Sequence, residues 1–208
     1  MRMDTRVKDI ATRLLAEPEP MPPAEALRPD WMPDRPFSHP PVPAAVLIAL
    51  VERDGEVSVL YTERSADLRS HSGQVAFPGG KIDPEDGGAG AAALREAAEE
   101  VGLDPRDAEL VGYMPHYFTG TNYLITPVVA LVRPRGPFVP NPAEVSEVFE
   151  VPLSLLAEEE SYGRHRIRRG DRVHSTWQIA HDGHTIWGIT ANLTRRFRDL
   201  ALAGGDAS

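Results

Sequence analysis

The chain has 208 residues, with 22 lysines and arginines against 31 aspartates and glutamates, a formal net charge of −9, and no cysteine. That length suits one domain with a terminal appendage, and the lack of cysteine excludes a disulfide framework, a thiolate zinc site and a cysteine nucleophile. The acidity argues against nucleic acid and anionic membranes as partners, whereas a small anionic substrate can still bind if a cation lies between it and the protein.

Residues 1–16 place Val7, Ile10, Leu14 and Leu15 at helical spacing among Arg2, Arg6, Lys8 and Arg13, which predicts a short amphipathic helix. It is too polar for a signal peptide, and a docked terminal helix is preferred over a targeting segment. No apolar run reaches the roughly 18 residues a membrane span needs, so the expected location is cytoplasmic. Residues 18–43 hold 10 of the 20 prolines, a density that predicts an extended arm wrapping the surface. We therefore divide the chain into an N-terminal helix and Pro-rich arm (1–43), a folded domain (44–203) and a flexible tail (204–208).

Within the domain, residues 44–52 and 57–63 are apolar and β-branched, and Asp54-Gly55 between them signals a hairpin. Further strands are expected at 74–77, 109–117, 123–132, 173–179 and 185–189, and helices at 89–101, 152–159 and 191–201. Strands and helices mix without a regular βαβ repeat, which predicts an α+β sandwich around a mixed sheet. The basic run 164–172 (RHRIRRGDR) reads best as an exposed hairpin.

The stretch GAAALREAAEEVGL, 90–103, carries the chemistry. At about 100° per residue, Glu96, Glu99 and Glu100 cluster on one side of a helix, while Ala91, Leu94, Ala98 and Val101 gather opposite, giving one acidic and one apolar face. Such carboxylates repel by about 0.2–0.5 kcal/mol per pair. Gly102 reads as the C-cap, so they also sit at the end of the helix where the dipole disfavours anions. Either the face is merely solvated, or a divalent cation supplies the missing charge, and oxygen ligands suit Mg²⁺ or Mn²⁺. Upstream, the Phe77-Pro78-Gly79-Gly80 turn leads into Asp83, Glu85 and Asp86; its glycines could admit backbone N–H groups to a phosphate or simply form a loop.

Gly80, Asp86 and the run Arg95-Glu96-Ala97-Ala98-Glu99-Glu100-Val101-Gly102-Leu103 resemble the Nudix box. The helical half matches throughout, while Asp86 replaces the usual Glu and the spacing to Arg95 is one residue longer. That departure is similar to the coenzyme A pyrophosphatase branch. The upstream stretch 60–80 (LYTERSADLRSHSGQVAFPGG) resembles the branch's second motif through Thr62, Arg64, Ser65, Arg69, Gly73 and the Phe77–Gly80 run, with Tyr61 where leucine is usual. Residues 186–191 (IWGITA) look like the branch's C-terminal strand-to-helix junction.

The resemblance implies a Nudix-type α/β/α sandwich that hydrolyses a nucleoside diphosphate linked to another moiety, CoA in this branch, giving 3′,5′-ADP and 4′-phosphopantetheine. It implies Glu96, Glu99 and Glu100 as ligands of Mg²⁺ or Mn²⁺, with Arg95 reaching Glu99 to hold a carboxylate rotamer. The general base is left open among the box carboxylates, Glu99 included, and Glu144 or Glu147 on a later loop expected just before a helix. Arg64, Arg69, His71, Gly79 and Gly80 are the candidate substrate contacts. The remaining histidines show no metal-ligand spacing, and Trp31, Trp177 and Trp187 could stack on adenine or pack in the core. Alternatives are a Nudix pyrophosphatase for ADP-ribose or a nucleoside triphosphate, and a non-catalytic nucleotide-sensing domain. Homodimerisation is left open.

Overall fold

A computed structural model describes residues 5–31, 33, 36–66, 73–169 and 172–203. Its centre is β1 (Val42–Arg53), an almost wholly apolar strand paired on both sides. It runs antiparallel to β2 (Glu56–Arg64) through the expected hairpin, where Asp54 and Gly55 both take positive φ, 51° and 84°. Two left-handed residues in succession give the type I′ turn that matches strand twist. On its other side β1 runs parallel to β7 (Tyr123–Val132), with Leu47 opposite Val128. The sheet continues with β3 (Val75–Ala76) beyond β2 and β5 (Ala108–Tyr113) beyond β7, while β4 (Gly79–Lys81) pairs with β1 and β6 (Tyr117–Phe118) with β7.

Helices cover both faces of this mixed sheet. On one face α2 (Ala89–Val101) packs Ala92, Ala93, Ala97 and Val101 against Ala45, Leu47, Val128 and Ala130. On the other, α1 (Thr5–Ala11) inserts Val7 and Ile10 into a larger core shared with α3 (Leu153–Ala157) and α4 (Gly188–Phe197). This is the expected α/β/α sandwich. Each fully buried Val, Ile, Leu or Phe contributes about 1.5–3 kcal/mol, so α1 is part of the core and not an appendage. No helix among the described residues is long and apolar enough to cross a membrane.

The segment that follows α1, ahead of the prolines, protects an edge. Leu15 and Tyr113 exchange backbone hydrogen bonds at 2.9 and 2.8 Å, capping the outer strand β5. A separate three-stranded sheet holds β9 (Gly163–Arg169), β10 (Arg172–His181) and β11 (His184–Trp187). The basic run thus forms a hairpin, with Arg169 opposite Arg172.

Two elements differ from expectation. Residues 145–152, expected as a loop just before a helix, form the strand β8 (Val145–Pro152), antiparallel to β2, with the expected helix α3 directly after it. Its period-2 alternation is masked by Glu147 and Glu150, which the register places opposite Glu63 and Leu60. The glycine pair is also not a turn: Gly79 and Gly80 pair with Val46 and Ala45 as strand residues.

Candidate active site

The acidic helix is built differently from its helical wheel. The side facing the sheet carries Ala92, Ala93 and Ala97 and also Glu100, which is only 4 % exposed, whereas Ala91 is exposed and Leu94 and Ala98 are half-buried. Small side chains let the helix approach the sheet closely, so Glu96 and Glu100 lie on the packing side and not on a solvated face. Glu99, with its side chain 54 % exposed, is the outward one.

The neighbouring strand is shaped to receive both carboxylates. A Cβ on Gly80 would run into the Glu96 carboxylate, and one on Gly79 into the carbonyl of Ala45. The Gly79 N–H donates to Glu100 Oε2 at 3.3 Å. In this structure, then, the two glycines accommodate glutamates. The chain ends the helix as expected: Gly102 is left-handed (φ 66°) and its N–H donates to the carbonyls of Ala97 and Ala98. Two more terminal carbonyls, of Val101 and Glu100, accept from the N–H groups of Val139 and Asn141 at 2.9 and 2.8 Å. That stitching carries the 139–144 loop onto the end of α2 and Glu144 with it.

Electrostatics follow from this crowding. Burial foremost pushes the Glu100 carboxyl up to about 7, with the charges of Glu96 and Glu144 adding to it and Gly79 and Arg64 opposing. Glu96 is raised too, chiefly by desolvation and against the pull of Arg95. Three carboxylates that destabilise one another in a half-buried cleft, with acceptor oxygens and too few donors, match a divalent cation: hard, oxygen-seeking and able to neutralise them together.

Arg95 ties the cluster to its loop. Its Nε and Nη2 donate to Asp86 at 2.9 Å each, and Nη1 donates to Glu96 at 2.9 Å and to Glu99 at 3.4 Å. Asp86 is therefore its main partner, ahead of the expected Glu99, because a planar guanidinium meets a loop carboxylate bidentately better than one a helical turn away. That contact holds Asp86 down at about 2.

The two later glutamates are separated. Glu144 lies near enough to Glu96 and Glu100 for its charge to raise both. Glu147 belongs to β8, where alternation turns it to the opposite face of the sheet with Glu63 and His184. His184 sits between them, Nδ1 at 3.4 Å from Glu63 and Nε2 at 3.6 Å from Glu147, its ring stacked on Phe149 with centroids 3.9 Å apart. Glu147 thus lies beside His184 and apart from the α2 carboxylates, a grouping that no spacing along the chain signals, since its members come from three strands.

Arg64 ends β2 on the α2 side. It acts on Glu100, and its Nε is buried with no hydrogen-bond partner. Arg64 and Gly79 also line a cavity of about 510 Å³ that opens between the sheet, α4 and the β9–β11 sheet. Arg69 and His71 lie outside the described residues.

The Nudix domain profile matches residues 41–170, well over half the chain. The chain belongs to the Nudix family. Among its relatives, an uncharacterized Nudix hydrolase, NudL, of Escherichia coli K12 is 44% identical over 163 residues, covering 78% of this chain and 82% of the relative. The NudL protein of Salmonella paratyphi B is 41% identical over 162 residues, covering 78% and 82%. A Nudix hydrolase of M. smegmatis, RenU, superposes with a TM-score of 0.49 at 25% identity, covering 61% of this chain and 80% of that one. The chain is a Nudix hydrolase, and its acidic cluster on α2 is the Nudix helix.

Proposed function

We propose that this Nudix hydrolase cleaves the pyrophosphate of coenzyme A, using Mg²⁺ or Mn²⁺. The observation that carries this reading is the placement of Arg64, at the spacing of the CoA-branch motif, with a buried unpartnered Nε where the carboxylate cluster meets the cavity. A guanidinium that lines a 510 Å³ cavity and has one nitrogen without a hydrogen-bond partner suits contact with a phosphate oxygen.

Glu96 and Glu100 are the primary metal ligands in this reading, with Glu99 rotating in from solvent as a third. A bound divalent cation neutralises the pyrophosphate oxygens and acidifies water. Arg64 orients the pyrophosphate against the cluster. Glu144, held by the loop that caps α2, accepts a proton from the attacking water. The water oxygen bonds to phosphorus as the bridging P–O bond breaks, releasing 3′,5′-ADP and 4′-phosphopantetheine.

Incubating the purified protein with CoA, ADP-ribose and dATP in Mg²⁺ or Mn²⁺ and separating the products tests the substrate. CoA is expected to yield 3′,5′-ADP; its absence under every condition overturns the assignment. Arg95 acts by positioning. Replacing it with alanine frees Asp86 and Glu96, and the expected result is a 10–100-fold loss of Mn²⁺ affinity, read from thermal shifts across a metal titration. Lysine should rescue little, because it cannot span Asp86 and Glu96 with a planar fork.

A further inference from the structure

The cavity beside Arg64 has a second end, and the Pro-rich arm builds it. Asp30 fixes the arm there: its carboxylate accepts from the Gly120 N–H at 2.7 Å and the Tyr117 hydroxyl at 2.9 Å, and its own N–H donates to the Phe118 carbonyl at 3.0 Å. Trp31 follows, lying so close over Gly120 that a Cβ there would overlap the indole, and meeting His174 edge-on at 5.5 Å between centroids. One wall of the cavity is therefore supplied by a segment outside the residues matched by the Nudix profile.

Charge distribution within the cavity discriminates between the two halves of the substrate. Arg64, whose charge acts on Glu100, is the one arginine or lysine among the described lining residues, while Asp30 contributes a carboxylate and His174 an imidazole beside Trp31. Between them the lining alternates apolar surface with neutral hydrogen-bonding groups, including Ile125 and Trp187 with Thr121, Thr176 and Asn192. A 3′-phosphate beside Trp31 would meet the Asp30 carboxylate and, among the described lining residues, no guanidinium, at a cost in desolvation. An uncharged chain with amides and methyl groups would find apolar walls and neutral partners, in a volume within the range of roughly 300–1,000 Å³ typical of ligand pockets.

We propose that this cavity binds the pantetheine arm of CoA, with Trp31 from the N-terminal arm as its specificity-determining wall, and that the 3′,5′-ADP half lies outside it. The proposal rests on the CoA reading above. It assigns the Pro-rich arm to substrate selection: pairing Asp30 with Tyr117 and Gly120 holds Trp31 over the cavity, so a Nudix core without the arm lacks one side of the pocket.

The test uses the full chain and the two products as separate inhibitors of CoA hydrolysis, for the wild type, Trp31→Ala and Trp31→Phe, with thermal melts confirming that each is folded. Trp31→Ala is expected to raise KM for CoA and Ki for 4′-phosphopantetheine about tenfold, the loss typical of an apolar contact. Its kcat should stay within twofold and its Ki for 3′,5′-ADP unchanged, and Trp31→Phe should recover most of the loss. If Trp31→Ala weakens 3′,5′-ADP equally, weakens it alone, or changes neither inhibitor, the pocket assignment is overturned while CoA hydrolysis by the wild type still supports the enzymatic reading. If the wild type releases no 3′,5′-ADP, the CoA reading fails and the pocket assignment falls with it.

Discussion

Glu100→Gln is expected to abolish hydrolysis and at the same time to make the metal-free protein more stable at pH 8. Both effects come from the burial of one carboxylate. Glu100 is 4 % exposed and accepts from the Gly79 N–H at 3.3 Å, and burial lifts its pKa from 4.5 to about 7. A carboxyl with a raised folded-state pKa binds its proton more tightly in the native than in the unfolded chain. Stability is therefore undiminished below about pH 4.5, falls as pH rises towards 7, and stays reduced above it. At 1.36 kcal/mol per unit the penalty at pH 8 is on the order of 3 kcal/mol. Glutamine keeps the shape and the acceptor for Gly79 without the charge. The metal-free variant should melt several degrees above wild type at pH 8 and at the same temperature near pH 4.5. Mn²⁺ should raise the melting temperature of the wild type much more than that of the variant, since a cation stabilises only the state whose ligands it binds. Loss of activity should exceed a thousandfold. Equal melting temperatures at pH 8, or activity within tenfold of wild type, would contradict the placement of Glu100 as a buried ligand.

The second large effect separates two glutamates three residues apart. Glu144→Gln is expected to lower kcat by about 10²–10⁴-fold, the range for removing a general base, with KM for CoA changed less than about threefold. Glu147→Gln should stay within about threefold of wild type in both constants, because it lies on the far face of the sheet against His184. The reverse pattern would return the general base to Glu147.

The contrast between these residues shows how far the chain could be read directly. β1, β2 and β7 were legible because long apolar, β-branched runs leave little alternative, and the bounds of α2 because Gly102 supplies the left-handed cap. The candidate ligands were legible because carboxylates gathered at the negative end of a helix are costly without a cation. β8 was not, since its glutamates hide the alternation, and their two faces could be assigned only once β8 paired with β2. Nor was the burial of Glu100. A helical wheel weighs hydrophobicity, and by that measure a glutamate belongs outside; the sheet instead offers Gly79 and Gly80, and their missing side chains provide the room.

By itself the sequence determined the family, the chemical class and the helix that carries it, because contiguous motifs fix local backbone and side-chain spacing. Tertiary structure decided what lies opposite that helix. It turned the acidic face inward, exchanged Glu99 for Asp86 as the main partner of Arg95, placed Glu144 beside Glu96 and Glu100 and Glu147 beside His184, and brought Trp31 to the cavity from an arm that precedes the matched family region. These outcomes depend on contacts between residues distant in the chain, set by strand register and close packing, and periodicity along one segment carries no information about its partner. The net charge of −9 illustrates the division: composition gave its sign and size, and the fold buried Glu100 and packed Glu96 and Glu144 around it, where their charges raise its pKa against the pull of Gly79 and Arg64.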